Sequence, residues 1–265
     1  MNTTASPLAF ITGASSGIGQ ALAVEAVARG WRVALLARRP EALTDWCRQQ
    51  AWPSDRWAVY AADVRDLPAL AQACAQCLAQ QGLPDVVVAN AGISVGVDLS
   101  LAEDLAVVRD VFDTNVLGLA ATFQPFIAPM VARGRGTLVG VASVAAMRGL
   151  PGHAAYCGAK AAVVNLCETL RGELRPQGVK VVTLTPGYID TPLTRGNDYP
   201  MPFLMAPEAF ARQAWDTILR GQAWRVIPWP MGVVAWALRR LPRGLFDRLV
   251  GAQKHRKKRR RDPVA

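Results

Sequence analysis

The hydrophobic residues of this chain form short runs that alternate with longer stretches of helical periodicity. Seven runs predict strands, at residues 8–12, 32–37, 57–61, 85–89, 136–142, 179–185 and 224–228. Helical patterns lie near residues 17–29, 40–50, 67–81, 101–133, 154–175 and 207–221. Strands that are apolar on both faces and alternate with helices are typical of a parallel sheet covered on both sides. The pattern therefore predicts an α/β fold with a single doubly wound domain.

The residues after the last predicted strand form an amphipathic pattern. Apolar side chains recur at intervals of three and four, and charged side chains fall on the other side; the apolar positions are Val234, Leu238, Leu241, Leu245 and Leu249, and the charged ones are Arg239, Arg240, Arg243 and Asp247. Pro242 predicts a break into two short helices. We therefore divide the chain into residues 1–228, the α/β domain, residues 229–253, an amphipathic helical segment, and residues 254–265, a disordered basic tail.

Charge is concentrated in that tail. The net charge is +10, and residues 254–261, KHRKKRRR, contribute seven positive charges, so residues 1–253 are only mildly basic. An apolar helix face followed by a polybasic run is typical of a peripheral membrane helix. One interpretation is therefore that residues 231–261 bind an anionic membrane surface. The same face could instead pack on the domain or on a partner subunit. Specific nucleic-acid binding by the tail is the less favoured alternative.

The cysteine pattern and the N-terminus bear on location. Five cysteines, an odd number in a chain of 265 residues, argue against a disulfide framework, and the pair Cys74 and Cys77 has no nearby histidine to complete a metal site. The first residues lack the basic and apolar regions of a signal peptide, and the stretch 227–238 is too short to span a membrane. We expect a cytoplasmic protein without a metal, either free in the cytoplasm or peripheral at the inner face of a membrane.

The first strand continues into a glycine-rich turn where a helix begins. The turn reads Gly13-Ala14-Ser15-Ser16-Gly17-Ile18-Gly19. Glycines there let the backbone approach a pyrophosphate, and free N–H groups at the helix start face its negative charge. The segment predicts nucleotide binding on a Rossmann-type domain, although such a turn is often only a tight turn.

The end of the second strand bears on which dinucleotide would bind. It reads Ala37-Arg38-Arg39, with no acidic residue to accept hydrogen bonds from the ribose of NAD(H). Arg38 and Arg39 could pair with a 2′-phosphate, which favours NADP(H) over NAD(H). The alternative interpretation is a solvated basic loop.

A reactive constellation follows the fifth strand. Tyr156 and Lys160 are four residues apart in a helical pattern, which places phenol and ammonium one turn apart on one face. A nearby cation favours the phenolate, so the pair could exchange a proton with an alcohol or carbonyl oxygen. Ser143 ends the preceding strand, at the strand ends where such sheets bind ligands.

These motifs together resemble the short-chain dehydrogenase/reductase family. The resemblance covers about residues 8–195 and rests on TGASSGIG at 12–19, Asp63-Val64, Asn90-Ala91-Gly92, Asn115, Ser143, Tyr156-x-x-x-Lys160 and Pro186-Gly187. It implies a seven-stranded sheet ordered 3-2-1-4-5-6-7, and hydride transfer between NAD(P) and a carbonyl or alcohol. It also suggests a homodimer or homotetramer.

The resemblance further implies roles for individual residues. Tyr156 would be the general acid, and Lys160 would hold the nicotinamide ribose and lower the pKa of Tyr156. Ser143 would bind the substrate oxygen, and Asn115 would anchor a water molecule in a proton relay. The cofactor would be contacted by Gly13, Ser15, Ser16, Gly17, Ile18, Gly19, Arg38, Arg39, Asp63, Val64, Asn90, Ala91, Gly92, Tyr156, Lys160, Pro186, Gly187, Ile189 and Thr191. Asp63 would contact adenine, and Ile189 and Thr191 would hold the carboxamide.

Three functional hypotheses follow from these patterns. The first is an NADP-dependent carbonyl reductase or alcohol dehydrogenase. Its substrate is expected to be lipophilic, because the loops that select it offer mainly apolar residues such as Met147, Leu150 and Leu193. The second is a nucleotide-binding scaffold without turnover, which an intact Asn115, Ser143, Tyr156 and Lys160 set disfavours. The third is a nucleic-acid-binding protein that acts through residues 254–261.

Overall fold

A single parallel sheet of seven strands organises residues 6–251, the part of the 265-residue chain described by the computed structural model. The strands are β1 (Leu8–Thr12), β2 (Arg32–Ala37), β3 (Trp57–Ala61), β4 (Val86–Ala89), β5 (Gly136–Val141), β6 (Val179–Pro186) and β7 (Trp224–Ile227). Their spatial order is β3-β2-β1-β4-β5-β6-β7. This confirms the predicted fold class, and the strand bounds differ from the predicted ones by one residue at most.

Helices cover both faces of the sheet. They are α1 (Gly17–Ala28), α2 (Pro40–Gln49), α3 (Leu67–Gln80), α4 (Asp104–Phe112), α5 (Gly118–Arg133), α6 (Ala154–Leu174), α7 (Pro207–Arg220), α8 (Trp229–Arg240) and α9 (Arg243–Gly251). One buried cluster joins the sheet to α1, α2 and α7 and includes Trp215, whose Nε1 donates to Leu22 O at 2.9 Å. The other joins it to α3, α5 and α6 and includes Phe123 and Phe126. The strands are apolar on both faces because both faces are covered.

The helix predicted over residues 101–133 is interrupted. It begins at Asp104, and a π-helical turn at Asp113–Leu117 separates α4 from α5. A π turn inserts an extra residue into the hydrogen-bond pattern, which a hydrophobic periodicity alone does not reveal. The whole stretch Asp104–Arg133 is long and apolar enough for a membrane-crossing helix by length and composition. In the fold, Phe123, Phe126 and Met130 of this stretch pack in the core beneath the sheet.

The C-terminal segment forms two helices, as predicted, with α8 ending before Pro242 and α9 beginning after it. The residues of α8 that are buried are Met231 and Ala235, whereas Val234, Leu238 and Leu241 of the predicted apolar face are only half-buried. Over residues 243–249 of α9, where side-chain burial is described, Phe246 is buried, and Leu245 and Leu249 are exposed. The face that packs on the domain is therefore not the predicted one. The domain surface contacts neighbouring positions on each helix instead. The basic tail lies outside the described residues, and the three-part division remains a prediction.

The sheet places a crevice where its strand order reverses. β1 pairs with β2 on one side and with β4 on the other. The loops that follow β1 and β4 therefore diverge at the carboxyl ends of these neighbouring strands. In open α/β sheets this switch point leaves room for a ligand between the departing loops.

Candidate active site

A cleft lies at the carboxyl ends of the strands, around the switch point. Of the residues that the sequence predicts for the site, it is lined by Gly13, Ser15, Ser16, Gly17, Ile18, Arg38, Asp63, Val64, Asn90, Ala91, Gly92, Ser143, Tyr156, Lys160, Pro186, Gly187, Ile189 and Thr191. Gly19, Arg39 and Asn115 are not among the lining residues. The fold thus brings together nearly all the predicted positions from seven separate loops and helices.

The glycine-rich turn after β1 has a conformation that larger residues would not tolerate. Gly13 and Gly17 have φ angles of +65° and +55°, in the left-handed region. A Cβ on Gly13 would lie 2.8 Å from the Ala91 Cα, and one on Gly17 would lie 2.9 Å from Thr191 Cγ2. Gly19 lies behind the cleft, where a Cβ would collide with the Gly13 carbonyl. The absence of a side chain at Gly19 lets α1 pack closely against the turn.

The start of α1 is suited to an anion. Ser16 is extended at the N-cap and makes no side-chain capping bond, and the first turn of α1 contains no acidic residue. The N–H groups of a first helical turn have no partner within the helix, and the helix dipole is positive at this end. A pyrophosphate bound in the cleft would meet those groups. The glycine turn and the helix start therefore fit the phosphates of NAD(P).

Thr12 connects the two loops that form the switch point, a role that the sequence analysis missed. Its Oγ1 accepts hydrogen bonds from the backbone N–H groups of Asn90 and Ala91, both at 3.1 Å. The Asn90 side chain returns a bond from Nδ2 to Thr12 O at 3.0 Å. The glycine turn and the loop after β4 are thereby held in one arrangement. The only sequence signal was a polar residue, Thr12, at the end of an otherwise apolar strand.

Charged residues cluster where β2 and β3 end. Arg38 is half-exposed, with Nη1 3.9 Å from Asp63 Oδ2. Arg65, absent from the sequence prediction, donates to the Asp63 carboxylate at 2.8 Å and to Asp110 Oδ1 at 3.3 Å. Burial opposes ionisation of Asp63, but hydrogen bonds from Arg65 and the charges of both arginines hold its pKa below the usual range. The cleft therefore ends in one anchored and one more exposed guanidinium. Arg39 is exposed at the start of α2.

Asn115 lies in the π turn and supports the loop after β4. Its Oδ1 accepts from the Ile93 N–H at 2.8 Å, and its Nδ2 donates to Ile93 O at 2.9 Å. A Cβ on Gly92 would lie 3.0 Å from Asn115 Oδ1 and 3.5 Å from Lys160 Nζ, so these groups converge there. Both polar atoms of the Asn115 side chain are thus engaged by the protein backbone. Its predicted part in a water relay stays a prediction.

Ser143, Tyr156 and Lys160 meet at the inner end of the cleft. Ser143 follows β5 and accepts from Ala145 N–H at 3.2 Å, which begins a short 3-10 turn at Val144–Ala146. Tyr156 and Lys160 lie in the first two turns of α6, with Nζ 5.9 Å from the centre of the tyrosine ring. Lys160 is buried and donates to Val141 O at 2.7 Å. A hydroxyl, a phenol and an amine are therefore held together beside the Gly92 backbone.

Burial sets the direction of the pKa shifts of Tyr156 and Lys160. Burial of the phenol raises the pKa of Tyr156, and a hydrogen bond with Ser143 offsets this only in part. Burial lowers the pKa of Lys160 to about 8. The expectation that Lys160 lowers the tyrosine pKa stays a prediction, whereas desolvation sets the direction of the shift for both groups here. Tyr156 is therefore held protonated at neutral pH, which suits a proton donor.

A group of aromatic rings lies near Tyr156. Tyr199 contacts His153 edge-to-face at 6.0 Å and Tyr188 at 6.2 Å between ring centres. Burial, together with the nearby Tyr188 and Tyr156, raises the pKa of Tyr199 to about 12. Tyr199 was not predicted, because it lies in an irregular loop where no periodicity indicates a direction.

Comparison with known proteins decides the family. The model of the short chain dehydrogenase family matches residues 7–200, nearly three quarters of the chain. The chain belongs to the short-chain dehydrogenase/reductase family. Among the described residues of this short-chain dehydrogenase, no cluster of three or more His, Cys, Asp or Glu side chains could hold a metal ion.

Relatives and solved structures agree with that assignment. A Myxococcus xanthus protein called an uncharacterized oxidoreductase is 39% identical over 242 residues, 90% of this chain and 94% of that one. An NADPH-dependent pterin aldehyde reductase of Arabidopsis thaliana is 34% identical, covering 79% of this chain and 86% of that one. A short-chain dehydrogenase structure from Streptomyces avermitilis has a TM-score of 0.77 at 29% identity, covering 94% and 95%. This short-chain dehydrogenase is therefore an NAD(P)-dependent oxidoreductase.

Proposed function

We propose that the protein is an NADPH-dependent carbonyl reductase, or the corresponding alcohol dehydrogenase, with Tyr156 as its general acid. The observation that carries the proposal is the Ser143, Tyr156 and Lys160 group, which shares one cleft with the glycine turn. When bound, NADPH supplies a hydride for the carbonyl carbon. The Tyr156 phenol gives its proton to the carbonyl oxygen, and the Ser143 hydroxyl orients that oxygen. Lys160 would hold the ribose that carries the nicotinamide ring.

The preference for NADP(H) is proposed from the charges at the far end of the cleft. Arg38 follows β2 where an acidic residue would suit the ribose of NAD, and Arg65 is held nearby by Asp63. Two guanidinium groups favour a 2′-phosphate, since charge-assisted bonds to phosphate are the strong ones. The named cofactor of the Arabidopsis relative agrees with this choice. Asp63 is engaged by Arg65, so a contact with adenine would have to use its remaining acceptor capacity.

The substrate is proposed to be a lipophilic or aromatic aldehyde, ketone or alcohol. Tyr199 lies near Tyr156 and contacts Tyr188, and the half-exposed Leu193 lines the cleft. Apolar and aromatic walls with a few polar groups are typical of sites for such small molecules.

We also propose a homodimer or homotetramer that acts in the cytoplasm, at the inner face of a membrane. Leu105 and Phe112 of α4 and Leu117 of the π turn are exposed large apolar side chains, which supports self-association. The five cysteines are buried free thiols, which is in keeping with a reducing compartment. Light scattering on the purified full chain measures the subunit number, and a monomer at micromolar concentration would refute the oligomer.

The decisive experiment is oxidation of NADPH by the full chain with a panel of aldehydes and ketones. We expect turnover by the wild type and a loss of roughly 10²–10⁴-fold in Tyr156→Phe, the range of general acid catalysis. Tyr60→Phe is the matched control, because Tyr60 is a buried tyrosine outside the cleft whose hydroxyl donates to Gln81. Undiminished turnover by Tyr156→Phe, or none by the wild type across the panel, would refute the proposal.

A further inference from the structure

Helix α8 exposes a row of large apolar side chains on the face opposite to its buried residues Met231 and Ala235. Trp229, Val233 and Trp236 follow one another at intervals of four and three, and their exposed fractions are 73%, 56% and 59%. Leu245 and Leu249 of α9 are exposed to a similar extent. We name these five residues the docking surface. Two tryptophans this exposed are unusual on a surface that only water would meet.

Positive charge is concentrated on the two helices that carry the docking surface. Arg239 and Arg240 end α8, Arg243 and Arg248 lie on α9, and all four are exposed. The Arg240 guanidinium lies 4.0 Å from the centre of the Trp236 ring. By sequence, residues 229–265 hold eleven Lys and Arg and two Asp, and residues 1–228 hold nineteen and eighteen. The last 37 residues therefore account for nine of the ten net charges.

We propose that the docking surface binds an anionic lipid bilayer. Tryptophan rings favour the boundary between head groups and acyl chains, and arginines beside them reach the phosphates. Val233, Leu245 and Leu249 would enter the apolar layer. The basic run at 254–261, which lies outside the described residues, adds the second attraction that stable peripheral attachment needs.

Charge and chemistry favour lipid over the other occupants. A second copy meeting this face symmetrically would oppose the same four arginines to each other, which is unfavourable. A nucleic acid would bind the arginines, because its affinity comes mainly from the phosphates. It would not bury the two leucines and the valine. An anionic bilayer uses both properties at once.

The docking surface is linked to the catalytic loop through Arg148. This residue lies in the loop between Ser143 and α6, and its Nη1 donates to the carbonyls of Leu238, Arg239 and Leu241 at 3.1–3.2 Å. Its guanidinium also lies 4.2 Å from the centre of the Phe246 ring. α8 further contacts the 3-10 turn at 144–146. If the proposed reductase activity holds, docking would place the substrate side of the cleft near the bilayer, where lipophilic carbonyls partition.

The test is sedimentation of the full chain with vesicles, which does not depend on activity. The vesicles are phosphatidylcholine alone, or phosphatidylcholine with about one third phosphatidylglycerol, a composition that supplies the surface charge. We expect capture by the anionic vesicles only, and at least a tenfold weaker partition for Trp229→Ser/Trp236→Ser. Leu99→Ser/Leu219→Ser is the matched control: it also removes two exposed apolar side chains, outside the docking surface, and should bind as the wild type does. Circular dichroism melting of both variants confirms that they are folded.

Three results would overturn the proposal. The first is equal partition of the tryptophan variant and the wild type, which would leave attachment to the tail alone. The second is no capture of the wild type by anionic vesicles. The third is displacement of the bound protein by duplex DNA of equal phosphate concentration, which would favour nucleic acid. Quenching of tryptophan fluorescence by brominated lipid in the wild type, lost in the double tryptophan variant, would support insertion of these rings.

Discussion

Replacing Lys160 by glutamine should stabilise the protein while removing its activity. Lys160 is buried and donates to Val141 O, but its ammonium has left water without a carboxylate partner at hydrogen-bond distance among the described residues. Burying a charge in this way is costly unless it is paired. The amide of glutamine can still donate to a carbonyl and carries no charge. The lysine is therefore a group that the fold retains at the expense of stability.

The pKa of Lys160 sets the magnitude. A pKa lowered from 10.5 to about 8 corresponds to ~3 kcal/mol at 1.36 kcal/mol for each pH unit. Below about pH 8 the folded and unfolded states both hold the proton, so the full destabilisation is present. Between about pH 8 and 10.5 the unfolded chain binds more protons than the folded protein, so stability rises with pH. From about pH 7 to 9.5 this linkage should raise the free energy of unfolding of the wild type by ~2 kcal/mol.

Urea unfolding across that pH range measures the effect. We expect Lys160→Gln to be more stable than the wild type by ~1–2 kcal/mol near pH 7, since some hydrogen bonding to Val141 is lost. This difference in the free energy of unfolding should shrink by ~2 kcal/mol by about pH 9.5, because only the wild type is stabilised as Lys160 loses its proton. Lys180→Gln, at an exposed position on β6, is the control for a general change of charge. A difference between wild type and Lys160→Gln that does not change with pH would refute the argument.

Three further outcomes are expected. Arg38→Ser should lower the kcat/KM ratio of NADPH to NADH by about 10–100-fold, the worth of a charge-assisted contact, and Arg39→Ser should change it less; no change in the ratio would contradict the 2′-phosphate role. Arg148→Ala should speed amide hydrogen exchange in 229–251 by about tenfold or more as helix-end bonds are lost, and unchanged exchange would count against the tether. Thr12→Val should cost ~1–3 kcal/mol in urea unfolding and raise the KM for NADPH, whereas Thr12→Ser should preserve both; equal stability of the two variants would oppose the link between the loops.

The strands and the reactive residues could be predicted because their signals are local. An apolar run of four to eight residues flanked by turns already identifies a buried strand, and Tyr156 and Lys160 share a helix where a spacing of four fixes their common face. The residues that were missed interact over long distances along the chain. Thr12 acts on Asn90 across 78 residues, and Arg148 on Leu238 across 90. No local pattern reports such a partner.

The helix 101–133 and the C-terminal face show where periodicity is insufficient. The π turn at Asp113–Leu117 shifts the helix register by one residue, so that Asn115 meets the Ile93 backbone. The burial of Phe246 instead of Leu245 is decided by the surface on which α9 packs. Both outcomes depend on the shape of a neighbouring element, which a hydrophobic pattern does not encode.

The sequence by itself determined the fold class, the family and most of the residues that meet in the cleft. Each of these follows from residue types at fixed spacing on elements that the local pattern already specifies. Only the tertiary structure decided the proton affinities of Tyr156 and Lys160, because burial in a shared site, rather than their spacing, sets the direction of each pKa. It also decided that Trp229 and Trp236 face outward, since a helix has one buried stripe and the domain surface chooses which.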